Sequence, residues 1–169
     1  MRGRALPGCV LLTADTLGGV WSHSMELARV LSERDVRIVL AAMGRLPSAA
    51  QRAEATAIRG LTLHAGPYRL PWMPDPWDDL GRAGEWLIGL AERCKCDLIH
   101  LSEPVFAAHP WTAPVVAVAH SCVLSWHVAV RGVDAPDAWE RYREAMAVGL
   151  PHDNPMLALS GTEDSSSSL

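Results

Sequence analysis

Five short apolar runs set the limits on what this chain can fold into: Cys9-Val10-Leu11-Leu12, Val36 through Ala41, Leu61-Thr62-Leu63-His64, Asp97-Leu98-Ile99-His100-Leu101 and Pro114 through Ala119. Each is strand-sized, and the second and fifth are apolar at nearly every position, as in strands covered on both faces of a parallel sheet. Helical patterns fall between them. From Val20 to about Glu33, the residues Val20, Ser24, Leu27, Ala28 and Leu31 share one face. Ser48 to Ile58 reads as a short helix. Tyr68 to Trp77, with three prolines and two tryptophans, reads as a loop that enters a further helix. In that helix Asp75 is placed to cap, Pro76 suits the first turn, and Leu80, Ala83, Leu87, Leu90 and Ala91 form the buried face. A last helix is expected from about Pro136 to Met146. The alternation implies right-handed crossovers and an α/β, Rossmann-like parallel sheet with helices on both faces.

Composition agrees with one domain. The chain has 169 residues, 49% hydrophobic and 20% charged, which excludes wholesale disorder and allows a core hiding roughly 70% of the unfolded surface. No run of about 20 apolar residues offers a bilayer span. The apolar run after Met1-Arg2-Gly3-Arg4 is too short for a signal peptide, so a cytoplasmic location is expected. Of the net charge of −4, three negative charges come from Asp153, Glu163 and Asp164 in residues 151–169. The near-neutral remainder has no broad basic field for nucleic acid. Cys9, Cys94, Cys96 and Cys122 are read as free thiols. Residues 1–150 are read as the domain and 151–169, with its four consecutive serines, as a flexible tail arising from truncation or a frameshift.

In open α/β sheets ligands gather beyond the carboxyl ends of the strands. That rule singles out Asp15 with Gly18-Gly19 after the first strand, Glu103 after the fourth and His120 after the fifth. A glycine pair before a helix lets backbone N–H groups approach an anion, or makes a tight turn. His120 emerges at the rim, able to donate a hydrogen bond or move a proton, or to serve as a structural histidine. His100 reads as structural within its strand, while His23 faces either the rim or solvent. Asp15 and Glu103 suit a hydroxylated ligand or a helix cap. Trp72, Trp77 and Tyr68 suit stacking on a sugar or lipid, with core the favoured reading. The dinucleotide fingerprint Gly-x-Gly-x-x-Gly and the phosphate-loop Gly-Lys-Ser/Thr do not occur. Ser121 and Ser125 lack a Gly-x-Ser-x-Gly elbow, and neither Cys94-Lys95-Cys96 with His100 nor His120 with Cys122 and His127 has zinc-site spacing.

Several ordered motifs resemble glycosyltransferase family 4. Leu11 through Ala28 carries a strand, Gly18-Gly19, His23 four residues on, and Leu27-Ala28 in the first helix. Asp97-Leu98-Ile99-His100 resembles that family's fourth strand, and Val116 through Ser121 the strand that delivers its active-site histidine. One local departure is Asp35, which stands where the family usually has glycine. The resemblance implies one half of a GT-B glycosyltransferase: the amino-terminal, acceptor-side domain, which faces a donor-binding domain carrying a Glu-x7-Glu motif not reached in this chain. It implies sugar transfer from a nucleotide-sugar with retention and no bound metal or other cofactor. Gly18 and Gly19 would face the donor diphosphate, and His120 would lie near the transferred sugar. Asp15, His23 and Glu103 would contact the acceptor, a carbohydrate or other glycosyl acceptor. On this reading the isolated chain is inactive; the alternative is a non-catalytic acceptor- or ligand-binding α/β module.

Overall fold

The computed structural model describes residues 6–120 and 122–149. The expected tail at 151–169 and Ser121 lie outside the described residues. Five strands, β1 (Cys9–Asp15), β2 (Arg37–Met43), β3 (Leu61–Ala65), β4 (Leu98–Leu101) and β5 (Val115–Ala117), form one sheet in the order β3-β2-β1-β4-β5. Every pairing is parallel, with Leu12 opposite both Leu40 and His100.

The sheet is covered on both sides, and alternation along β1 shows it. Cys9 and Leu11 belong to one apolar cluster, whereas Val10, Leu12 and Ala14 belong to the other. The first cluster takes Leu80, Ala83, Leu87, Leu90 and Ala91 of α3 (Trp77–Cys94), all of the expected residues. The second takes α1 (Gly19–Ser32) and α2 (Ala49–Thr56). On α1 the buried positions are Trp21, Ser24, Met25, Ala28 and Ser32; Val20, Leu27 and Leu31 flank them. The helix is thus rotated by about one residue from the expected face. The Trp21 indole explains the rotation: its Nε1–H donates to Glu54 on α2 at 2.9 Å, so ring and polar edge are both accommodated between the helices.

Local signals explain most boundaries. Ser48 and Gln51 form a reciprocal capping box at α2. Asp75 makes no cap for α3; the residue before that helix is Pro76, and Asp75 sits in the left-handed region at φ 49. The first-turn Asp79 instead accepts from the Arg69 N–H at 3.0 Å and ties down the preceding loop. Asp35 takes the left-handed conformation at φ 59, which explains why glycine suits that turn. Asp97 accepts from the Gly8 and Cys9 N–H groups at 2.9 and 3.2 Å, so the first residue of the Asp-Leu-Ile-His segment anchors the start of β1.

Two elements after β4 were not legible in the sequence. A 3-10 helix at Pro104–Ala108 follows Glu103, with Phe106 fully buried beneath it. Further on, the short α4 (Val123–Trp126) runs into a π-helical turn at His127–Arg131. The expected last helix is present as a 3-10 turn at Asp137–Trp139 followed by α5 (Glu140–Val148). Gly149 at its end packs so closely on the Pro104 carbonyl that a Cβ there would overlap it. The four cysteines are free thiols. Cys9 and Cys96, at the starts of adjacent strands, bring their Sγ atoms to 3.5 Å, and burial and the neighbouring thiol push Cys96 up to about 12.

Candidate functional site

The strand order reverses at β1, whose neighbours β2 and β4 lead in opposite directions along the sheet. Such a switch point opens a crevice beyond the carboxyl ends of the strands. Here two side-chain bonds hold its floor together where the β1–β4 ladder ends. The Ser102 N–H donates to the Thr13 hydroxyl at 2.8 Å, and the Ser102 hydroxyl donates to the Thr13 carbonyl at 2.6 Å. Both residues are buried. Sequence reading gave Ser102 no role, because its partner lies 89 residues away.

Above that floor lies a cleft of about 330 Å³. Asp15, Gly18, Gly19, Glu103 and His120 all line it, so the strand-end residues singled out by the sequence converge on one wall. Trp72 and Trp126 complete the rim, with 38% and 46% of their surface exposed. The core reading of Trp72 is therefore corrected, whereas Trp77 and Tyr68 do pack against the core.

The β1–α1 loop is built for close approach. The Leu17 N–H donates to the Asp15 carboxylate at 2.8 Å, folding the chain back on the strand end. The Thr16 hydroxyl donates to the Arg45 carbonyl at 2.6 Å and fixes the loop to the end of β2. Gly18 lies at φ 70, ψ −153, a region open essentially to glycine. No side chain caps α1 at that point, so its first N–H groups remain available beside the cleft. A Cβ at Gly19 would meet nothing within 4 Å. The two glycines should therefore separate in their effects. Gly18→Ala is expected to lower stability by about 1–3 kcal/mol through backbone strain. Gly19→Ala should leave the melting temperature unchanged while placing a methyl group in the path of an anion. Thermal unfolding of both variants checks this, and equal destabilisation would contradict it.

Three histidines cluster at the cleft wall, with His23 meeting His120 edge to face. The His23 ring lies 4.7 Å from that of His120 and 6.3 Å from that of His100. His23 thus faces the rim, yet it supports His120 instead of lining the cleft. His100 is part of the same cluster; burial, then His23 and His120, lower it to about 4. Burial, with His23 behind it, also lowers His120, which makes both rings neutral at neutral pH. Among the described residues the buried Nε2 atom of His120 has no hydrogen-bond partner, a state that folded proteins rarely leave unanswered.

The two carboxyl groups are desolvated as well. Burial raises Asp15, against the opposing effect of the Leu17 N–H. Burial, reinforced by Asp15, raises Glu103 to about 8. Near pH 7 Glu103 therefore holds its proton and offers a donor as well as an acceptor. Among the described residues no Lys or Arg lines the cleft. Among the described residues no group of three His, Cys, Asp or Glu side chains is placed to hold a metal ion, and no helix is long and apolar enough to cross a membrane.

A parallel α/β domain thus gathers a glycine-lined helix start, a histidine and two desolvated carboxyl groups round one switch-point cleft, the place where open α/β sheets bind ligands. Residues 17–149 match the model of Glycosyltransferase Family 4, and the chain belongs to that family. No curated protein matches it. Among solved structures it is similar to a universal stress protein in complex with cAMP, at 13% identity and TM-score 0.42, covering 67% of this chain and 97% of that one. It is also similar to the glycotransferase of kitacinnamycin, at 18% identity and TM-score 0.46 over 83% of this chain. A third similar structure is CalG4, the calicheamicin glycosyltransferase, at 18% identity and TM-score 0.46 over 85% of this chain. The chain spans 39% and 41% of the lengths of these two glycosyltransferases.

Proposed function

We propose that this domain is the acceptor-side half of a retaining glycosyltransferase that takes its sugar from a nucleotide-sugar. The observation that carries the reading is the convergence of Gly18, Gly19, His120 and the Asp15–Glu103 pair on one cleft. Each has a role that its surroundings favour. The uncapped start of α1 at Gly18-Gly19 suits the donor diphosphate, which brings acceptor oxygens to N–H groups and negative charge to the positive helix end. A protonated Glu103 keeps one negative charge away from that diphosphate. His120, whose ring lines the cleft, orients the transferred sugar and stabilises charge there. Asp15 and Glu103 hold acceptor hydroxyls. His23 keeps the His120 ring in place. Binding of the donor's nucleotide is assigned to a facing domain, no resident cofactor or metal is invoked, and a cytoplasmic setting supplies the nucleotide-sugar.

The test is transfer of radiolabelled sugar from UDP-, GDP- and ADP-sugars. Residues 1–169 alone are expected to give no turnover, because only one wall of the cleft is then present. The domain joined to a donor-binding domain is expected to transfer with retention. Turnover by residues 1–169 would overturn the need for a second half. Failure to transfer with both halves present would leave a non-catalytic acceptor-binding module.

A further inference from the structure

A second hollow of about 440 Å³ adjoins the cleft, and the two share Trp72 as a common wall. Trp77, Trp139 and Tyr142 line the far side, and Asp75 is the one charged residue among its described lining residues. The indoles stand on fixed supports. Trp77 packs on the core beneath, and the Arg141 guanidinium sits 4.1 Å from its ring centroid. Trp139 meets Tyr142 edge to face, with centroids 5.6 Å apart. The segment that carries Trp72 is braced by its prolines, by the buried Leu70, and by Arg69, which donates to the Asp75 carbonyl at 2.8 Å. Aromatic faces presented rigidly beside a carboxylate suit a ring with C–H faces and hydroxyl edges.

We propose that the hollow between Trp72, Trp77 and Trp139 is a second sugar subsite, which takes the ring next to the reacting ring of a neutral oligosaccharide acceptor. This rests on the acceptor-side reading of the cleft. Trp72 sets the direction: a sugar held by Asp15 and Glu103 has its exit past that indole, and the next ring meets Trp77 and Trp139. The wall chemistry sets the substrate class. Among the described residues neither hollow has a Lys or Arg in its lining, and Arg141 and Arg69 beside the second are engaged with the Trp77 ring and the Asp75 carbonyl, which favours a neutral sugar over a phosphorylated one. An alkyl chain would leave the Asp75 carboxylate without a function, whereas a sugar hydroxyl uses it.

Isothermal titration of residues 1–169 tests the idea with glucose, maltose and maltotriose, with mannose and its oligomers, with glucose 6-phosphate, and with dodecyl glucoside below its micelle concentration. Affinity is expected to rise about tenfold from one ring to three, with glucose 6-phosphate weaker than glucose. Trp139→Ala should abolish the gain with length. Trp72→Ala, at an exposed position, should do the same if Trp139→Ala compromises folding, and thermal melts report which variants are native. Equal affinity for one, two and three rings would overturn the subsite while leaving the cleft's role intact. So would a gain with length that survives in both native variants, or a larger gain from the dodecyl chain than from a second sugar. Binding by none of the probes would also overturn it, and the transferase reading would still be decided by sugar transfer.

Discussion

His120→Ala is expected to lower turnover of the complete transferase by about 100- to 1000-fold, the usual effect of removing one preorganised donor from a site of developing charge. The melting temperature should change little by comparison. The ring is half-buried and its Nε2 has no partner among the described residues, so deletion breaks no hydrogen bond to any of them at that atom. Stability is expected to move by no more than about 1 kcal/mol. The KM for the acceptor should hold while kcat falls, because the lost interaction belongs to the transition state. Parallel loss of activity and stability would instead mark His120 as structural, one more member of the cluster with His23 and His100. Initial rates and melts on the same preparations separate the two.

Unfolding free energy is expected to fall by about 2 kcal/mol between pH 6.5 and 8, and Glu103→Gln should remove that fall. Glu103 is raised from 4.5 to about 8, by burial first and by Asp15 second. The folded protein thus keeps a proton that the unfolded chain releases. The stability this contributes is complete below pH 4.5 and is lost as pH rises toward 8. His100 acts in the opposite sense. It is lowered from 6.5 to about 4, so its contribution is present above 6.5 and lost as pH falls toward 4. The two slopes oppose each other between 4.5 and 6.5, and the Glu103 slope acts without that opposition above 6.5. Asp15 is raised too and adds in the same direction. Urea titrations across this range check the prediction. A wild-type protein with flat stability from pH 6.5 to 8, or a Glu103→Gln variant with an unchanged slope, would contradict it.

The strands were legible because parallel strands covered on both faces must be apolar at successive positions, a signal contained in each run itself. The buried face of α3 was legible for a similar reason: its periodicity is local, and all five expected residues are buried. The face of α1 was misplaced by about one residue, since the Trp21 indole finds its partner in Glu54, 33 positions away. Asp75 looked like a cap on local grounds, yet Asp79 holds the loop before α3 by binding the Arg69 N–H. Trp72 looked like core because tryptophan usually is; its loop, held by Leu70 and Arg69, turns the indole to the rim.

Sequence alone determined the α/β class, the strand-end positions of Asp15, Gly18, Gly19, Glu103 and His120, and the family, because each follows from residue order over a few turns or one strand. Only the tertiary structure decided that those residues share one cleft, that His23 supports His120 from behind, that Glu103 is neutral near pH 7, and that Trp72 divides two hollows. The reason is physical. Ring contacts, interacting carboxyls and hollows belong to groups brought together by the sheet order β3-β2-β1-β4-β5, and desolvation depends on everything packed around a group, which no window of sequence contains.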